Sequence, residues 1–226
     1  MGIFDFLGKK KAPKSTFVQQ YEELFERKIP SVRPIKQLNF VVIDTETTGL
    51  DPQKDYIISF GGIKVSNYSI NLHTAKELYL DFKIQNRESI KVHEIIQPLG
   101  SIPLKDFGNE VLDYISSDIV VGHHIGFDLA MLEKALRPFG LKKILNPVLD
   151  THYLAIRLEK GPHFDYSMAR PGEYALDNLC ERFGITLDDR HTAAGDAFLT
   201  AQLLMKLLKA AENKGIKDFG DLFRKI

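Results

Sequence analysis

Apolar residues in this chain fall into two kinds of pattern, and each predicts a different element. Phe40-Val41-Val42-Ile43 is unbroken, too short for a helix and rich in β-branched side chains, which predicts a buried strand. Asp51-Pro52 then turns the chain into Tyr56 to Val65, a longer apolar strand. The glycine pair inside it, Gly61-Gly62, marks a bulge or the close approach of another backbone. After a turn at Asn67, residues Ile70 to Ile84 continue as a third, less regular strand, so the opening strands form a meander. Ile119-Val120-Val121 and Pro147-Val148-Leu149 predict two further short strands.

Between and after these runs the spacing becomes helical. Leu104, Phe107, Val111, Leu112 and Ile115 predict a helix after Pro103, and another opens near Phe127. Asp150 or Thr151 caps a helix carrying Tyr153, Leu154, Ile156 and Arg157. Leu176, Leu179, Cys180 and Phe183 share a helical face that stops at Gly184, and a strongly helical stretch then runs to about Ala211. At the other end, Ser15 is expected to cap a helix reaching about Arg27, with Phe17, Tyr21, Leu24 and Phe25 on one face, before Pro30 and Pro34 mark a linker. The organisation expected is a helical extension and linker over residues 1–37, an α/β domain over 38–212 and a C-terminal tail over 213–226. Residues 1–14, an apolar stub followed by Lys9, Lys10, Lys11 and Lys14, read as a frayed terminus.

Composition narrows the functional classes. A chain of 226 residues with 44% hydrophobic and 27% charged residues can bury a sizeable core, and no apolar run reaches the length of a membrane span. The first residues place apolar before basic, the reverse of a secretory signal, and the single cysteine, Cys180, forms no internal disulfide. A reducing, cytoplasmic setting is therefore expected. Thirty basic residues balance thirty acidic ones, so contact with a polyanion must rest on local patches.

The candidate chemistry starts where the first strand ends, at Asp44-Thr45-Glu46-Thr47-Thr48-Gly49-Leu50. Residues two apart on a strand project from one face, so Asp44 and Glu46 put two carboxylates side by side. Such a pair either raises one pKa or recruits a cation, and hard oxygen ligands suit Mg²⁺ or Mn²⁺. The alternative is that Asp44 caps a turn and Glu46 is solvated. Asp128, in the first turn of its helix, either answers the helix dipole or is a third carboxylate aimed at Asp44. His123 and His124 are read as non-ligands, because neighbours at a strand end point in opposite directions. Residues 159–173 form a long aperiodic loop, with Arg170 bordering a substrate groove and His163 and Asp165 solvated. His191 and Asp196 lie five apart, about 500° of helical rotation, so His191 belongs on the loop entering the helix. The small residues Ala193, Ala194 and Gly195 allow that helix to approach another element, and the apolar neighbours of Asp196 turn it toward a site rather than solvent.

Taken together, Asp44-Thr45-Glu46-Thr47-Thr48-Gly49, Gly122-His123-His124-Ile125-Gly126-Phe127-Asp128 and His191-Thr192-Ala193-Ala194-Gly195-Asp196 closely resemble the motifs of the DEDDh exonucleases, the family of DNA-polymerase proofreading subunits and oligoribonuclease. The resemblance spans roughly residues 38 to 211. It implies a ribonuclease H-like fold, a mixed five-stranded sheet flanked by helices. It implies two Mg²⁺ or Mn²⁺ ions, with Asp44 bridging them, Glu46 and Asp196 completing one site and Asp128 holding the other. His191 would be the general base. Thr47, Thr48, Gly49 and Leu50 would receive the terminal nucleotide, Leu50 as an apolar wedge, with Phe127 and His124 lining the same pocket. Many members carry asparagine where His124 stands. The action implied is release of nucleoside monophosphates from 3′ ends of single-stranded DNA, with RNA ends as the alternative substrate. A reading from another class is a polymerase-associated binding module with incidental chemistry. Separately, the tail Asp218-Phe219-Gly220-Asp221-Leu222-Phe223 is either a segment that docks on a partner such as a sliding clamp or an amphipathic terminal turn that packs on the domain.

Overall fold

A computed structural model describes residues 14–81, 100–188 and 190–224. Five strands form one mixed sheet: β1 (Asn39–Thr47), β2 (Ile57–Ser66), β3 (Ser69–Tyr79), β4 (Ile119–Gly122) and β5 (Val148–Asp150), in the spatial order β3-β2-β1-β4-β5. β1 is antiparallel to β2 and parallel to β4, and β5 is parallel to β4. The α-helices are α1 (Thr16–Glu23), α2 (Leu104–Ile115), α3 (Gly126–Leu136), α4 (Thr151–Lys160), α5 (Leu176–Arg182), α6 (Ala193–Asn213) and the single turn α7 (Phe219–Leu222). The expected fold class and the order of its elements are observed.

The unbroken apolar run of β1 follows from its central place. Phe40 and Val42 face a core filled by Leu154 and Ile156 of α4 and by Leu203, Leu204 and Leu207 of α6. Val41 and Ile43 face a second core, shared with Phe17 of α1, Phe107 and Val111 of α2 and Met131 and Leu132 of α3. A strand covered on both faces has no polar side to display. β3, at the sheet edge, is mostly exposed, which is why its pattern is irregular. It ends at Tyr79, and residues 82–84 of the longer expected strand lie outside the described residues, as do residues 1–13 of the terminal stub.

The N-terminal segment departs from expectation in detail. Helix α1 stops at Glu23, and its buried face is Phe17, Val18 and Tyr21, while Leu24 is 45% exposed. Ser15 holds the N-cap position, but its hydroxyl donates to the Phe139 carbonyl at 3.2 Å instead of accepting from the helix. Tyr21 fixes the helix by donating to Asn146 Oδ1 at 2.6 Å. The C-terminal segment closes on the linker. Phe219 N–H donates to the Arg33 carbonyl and Ile35 N–H to the Lys217 carbonyl. The Arg157 guanidinium donates to the carbonyls of Asp221 and Leu222, both at 2.8 Å. Leu222 is 2% exposed, which agrees with a terminal turn packing on the domain and leaves this leucine unavailable for docking on a clamp.

Gly61 places α6. It pairs with Asp44 across the β1–β2 ladder, and a Cβ there would collide with the Ala193 backbone. Both readings of the glycine pair hold, because the β2–β3 register also shifts between Gly62 and Lys64. Helix α6 starts over that gap with Thr192 as its cap, the Thr192 hydroxyl accepting from Gly195 N–H at 3.0 Å.

Candidate active site

Three segments far apart in sequence deliver carboxylates to one end of the sheet. Asp44 and Glu46 leave the same face of β1, and Asp196 arrives from the first turn of α6. Each of the three offers an oxygen within 4.8 Å of the others. Asp128, on the first turn of α3, is 6% exposed. Its Oδ1 accepts from Thr45 N–H at 2.9 Å and from the Thr45 hydroxyl at 2.6 Å, which ties α3 to the middle of the acidic strand end.

The electrostatics of this arrangement are unfavourable without a cation. Burial, followed by repulsion from Asp128, Asp196 and Glu46, pushes the Asp44 carboxyl up to about 9, against the pull of Arg190. Burial also lifts Asp128 to about 6, although the hydrogen bonds from Thr45 favour its charged form. Glu46 is raised by burial and by Asp196, and drawn back by His191 and Arg190. Such shifts mark a site built to hold positive charge. Part of that charge is supplied by Arg190, whose guanidinium pairs with Asp196 and, at 2.6 Å, with Asp177.

His191 lies on the loop before α6, as its spacing from Asp196 requires. It is exposed, takes a left-handed backbone with φ +67°, and stands near enough to Glu46 to favour that carboxylate's charged form. The turn after β1 is held by hydrogen bonds. Thr48 Oγ1 donates to Asp55 Oδ1 at 2.9 Å and accepts from Tyr56 N–H at 3.0 Å, while Asp51 N–H donates to Asp55 Oδ2 at 2.8 Å. Thr47 Oγ1 donates to the Gly49 carbonyl at 2.8 Å, and a Cβ on Gly49 would lie 2.6 Å from the Asp55 carboxylate. This turn presents Leu50, 86% exposed, to solvent. Phe127 is half-buried and packs against the second core.

The histidine pair behaves differently from expectation. β4 ends at Gly122, and His124 takes φ +59°, so the alternation of a strand does not apply. The two rings lie on one side with centroids 4.9 Å apart, and His152 from α4 joins them. Burial, with the neighbouring imidazoles, lowers His123 to about 3, and burial likewise lowers His124. Asp150 is the cap of α4, its Oδ1 accepting from His152 N–H at 2.9 Å. Cys180 is buried packing, and Asp165 caps a short 3-10 turn within the long loop. Sequence reasoning assigned no role to Arg190, Asp55 or His152, since none stands in a periodic pattern or a recognisable motif, nor to Thr45, which lies inside the first motif but between its two acids.

A ribonuclease H-like sheet with carboxylates gathered at the end of its central strand defines a nuclease of the DEDDh type. The exonuclease family RNase_T matches residues 41–204, and the chain belongs to it. The DNA polymerase III subunit epsilon of Aquifex aeolicus is 30% identical over 188 residues, covering 82% of this chain and 88% of that protein. The PolC-type DNA polymerase III of Bacillus subtilis is 31% identical over 193 residues, covering 84% of this chain but 13% of the polymerase. Among solved structures, Escherichia coli exonuclease I in complex with a dT13 oligonucleotide superposes with a TM-score of 0.60 at 14% identity, over 79% of this chain and 43% of that one. At that identity the likeness is one of fold. Among the described residues no helix is long and apolar enough to cross a membrane.

Proposed function

We propose that this chain is a metal-dependent 3′ to 5′ exonuclease that releases nucleoside monophosphates from single-stranded DNA ends. The observation that carries this reading is the convergence of Asp44, Glu46 and Asp196 within 4.8 Å, with Asp128 alongside.

The residues fit divalent ions. The donors are hard carboxylate oxygens, burial and the neighbouring carboxylates disfavour the charge on Asp44, and the Arg190 guanidinium already stands against Asp196. Asp44, Glu46 and Asp196 would hold one Mg²⁺ or Mn²⁺, and Asp44 with Asp128 a second. When bound, such a pair stabilises the attacking and leaving oxygens of an in-line displacement at phosphorus. His191 takes the proton of the attacking water on an imidazole nitrogen, and its exposed loop position lets it close on a seated substrate. Thr47, Thr48 and Gly49 offer main-chain groups to the terminal nucleotide, and Leu50 stacks against its base. Apolar stacking tolerates any base, so the site selects ends rather than sequence.

DNA is favoured over RNA by the relatives, which are DNA polymerase III subunits by name, and by the exonuclease I structures solved with DNA oligonucleotides. Association with a polymerase follows from the same likeness to the epsilon subunit. The test is a time course on 5′-labelled DNA and RNA oligonucleotides of matched sequence with Mg²⁺ or Mn²⁺. Stepwise shortening of the DNA, lost in Asp44→Ala and in Asp196→Ala, is expected. Shortening that survives both substitutions would refute the assignment, and faster shortening of the RNA would move the substrate to RNA.

A further inference from the structure

Three imidazoles outside the carboxylate cluster converge where the β4–α3 turn meets the start of α4. One ring nitrogen from each of His123, His124 and His152 lies within 4.8 Å of the others. The rings crowd together, with centroids 4.0 Å apart for His124 and His152, 4.9 Å for His123 and His124, and 5.7 Å for His123 and His152. A single carboxylate frames them, because Asp150 Oδ1 accepts from the main-chain N–H of both His124, at 3.1 Å, and His152, at 2.9 Å.

The hydrogen bonds also fix which nitrogens are available. The Thr151 hydroxyl donates its one proton to the Gly122 carbonyl at 3.1 Å, so at its 2.9 Å contact with His123 Nδ1 it must accept. His123 Nδ1 therefore carries the proton and Nε2 the lone pair. His123 Nε2 is buried with no hydrogen-bond partner of good geometry, although the Tyr174 carbonyl stands close enough to favour a charged ring. His152 Nδ1 lies 3.2 Å from the same carbonyl, which only accepts, so Nδ1 is protonated there too and Nε2 is again the lone-pair nitrogen. One nitrogen donating to a protein oxygen while the other keeps its lone pair is the arrangement of a metal-bound histidine.

We propose that His123, His124 and His152 form a binding site for a transition-series divalent ion of the zinc class, separate in ligand chemistry from the carboxylates. Neutral imidazoles suit zinc, cobalt, nickel or copper rather than Mg²⁺. Three of them leave a fourth position of a tetrahedral ion open. Zn–N bonds of ~2.0 Å require the nitrogens to draw in to ~3.3 Å of one another, and exposed His124 has the freedom to close its own two separations. Metal ligation replaces substrate placement as the role of His124. Occupancy would pin the turn that leads into Asp128 against the start of α4. The inference does not depend on the nuclease reading.

The test uses the full chain with Co²⁺ as an optical probe, in an excess of Mg²⁺ that saturates the hard carboxylate site. One equivalent of Co²⁺ is expected to give a visible ligand-field band that Zn²⁺ displaces. His152→Ala should weaken Co²⁺ binding at least tenfold and His124→Ala with His152→Ala should abolish it, while Asp44→Ala leaves it intact. A band that survives the double histidine substitution, or that disappears in Asp44→Ala, would overturn the proposal. NMR of the histidine-labelled wild-type chain avoids dependence on variant folding. Of its seven histidines, three should shift together on adding one equivalent of Zn²⁺, and no shift would be equally fatal.

Discussion

The carboxylate cluster and the imidazole cluster are neighbours built on opposite physical terms. The first draws its side chains from three remote segments, buries them as like charges and depends on one glycine to bring the third segment close. The second draws its side chains from two adjacent turns, two of them imidazoles that burial disfavours charging, and holds them with one capping aspartate. A charged cluster is costly to fold alone, so its ion and its stability are linked. An imidazole cluster carries no such like-charge burden, and its selectivity rests on ligand type instead of charge.

The largest expected effect breaks the charged cluster at its centre. Asp44→Ala or Asp196→Ala should lower the rate of DNA shortening by ~10³-fold or more, a loss of about 4 kcal/mol of transition-state stabilisation, read from single-turnover gels. Next is the scaffold beneath it. Gly61→Ala forces α6 away from β2 and should cost ~3 kcal/mol in urea unfolding, since the Ala193 backbone occupies the space a Cβ needs. Unchanged stability would mean that the close approach has no energetic weight.

The linkage between charge and stability gives a third test. In chelator, the folded chain keeps a proton on Asp44, pushed up to about 9, that the unfolded chain releases above its ordinary value of 3.8. The folded state binds more protons across that window, so stability should fall as pH rises through it. Asp44→Asn should flatten the slope and, at pH 8, raise the chelated protein's melting temperature by ~4 °C. Melting curves that climb with pH up to 9 would contradict the electrostatics. The smallest effect sharpens the tie between strand and helix: Thr45→Val deletes the hydroxyl bond to Asp128 and keeps the main-chain one. About tenfold in rate, near 1.4 kcal/mol, is expected, checked by rate assays at saturating Mg²⁺.

Much of this was legible in the chain because it rests on short-range rules. An apolar run announced the strand β1, and a spacing of two put Asp44 and Glu46 on one face. A rotation of about 500° kept His191 off the helix of Asp196. What escaped depended on backbone states and long-range contacts. The left-handed turn at His124 cancels the alternation that separated its ring from that of His123. Arg190 and Asp55 stand in no pattern, and their roles arise from where the loops fold back. The end of α1 was overextended because Leu24 and Phe25 continue the apolar spacing after the last turn has unwound.

The clasp between linker and tail carries a consequence for how the domain is wired. Pro34 bridges to Asp218, so the polypeptide enters the sheet region and departs from it at a common corner. A body whose two crossings are neighbours can be spliced into a host sequence without prising that host apart. A transplanted unit has to carry α1 and α7 along with it, because Phe17 of α1 and Leu222 of α7 belong to its cores.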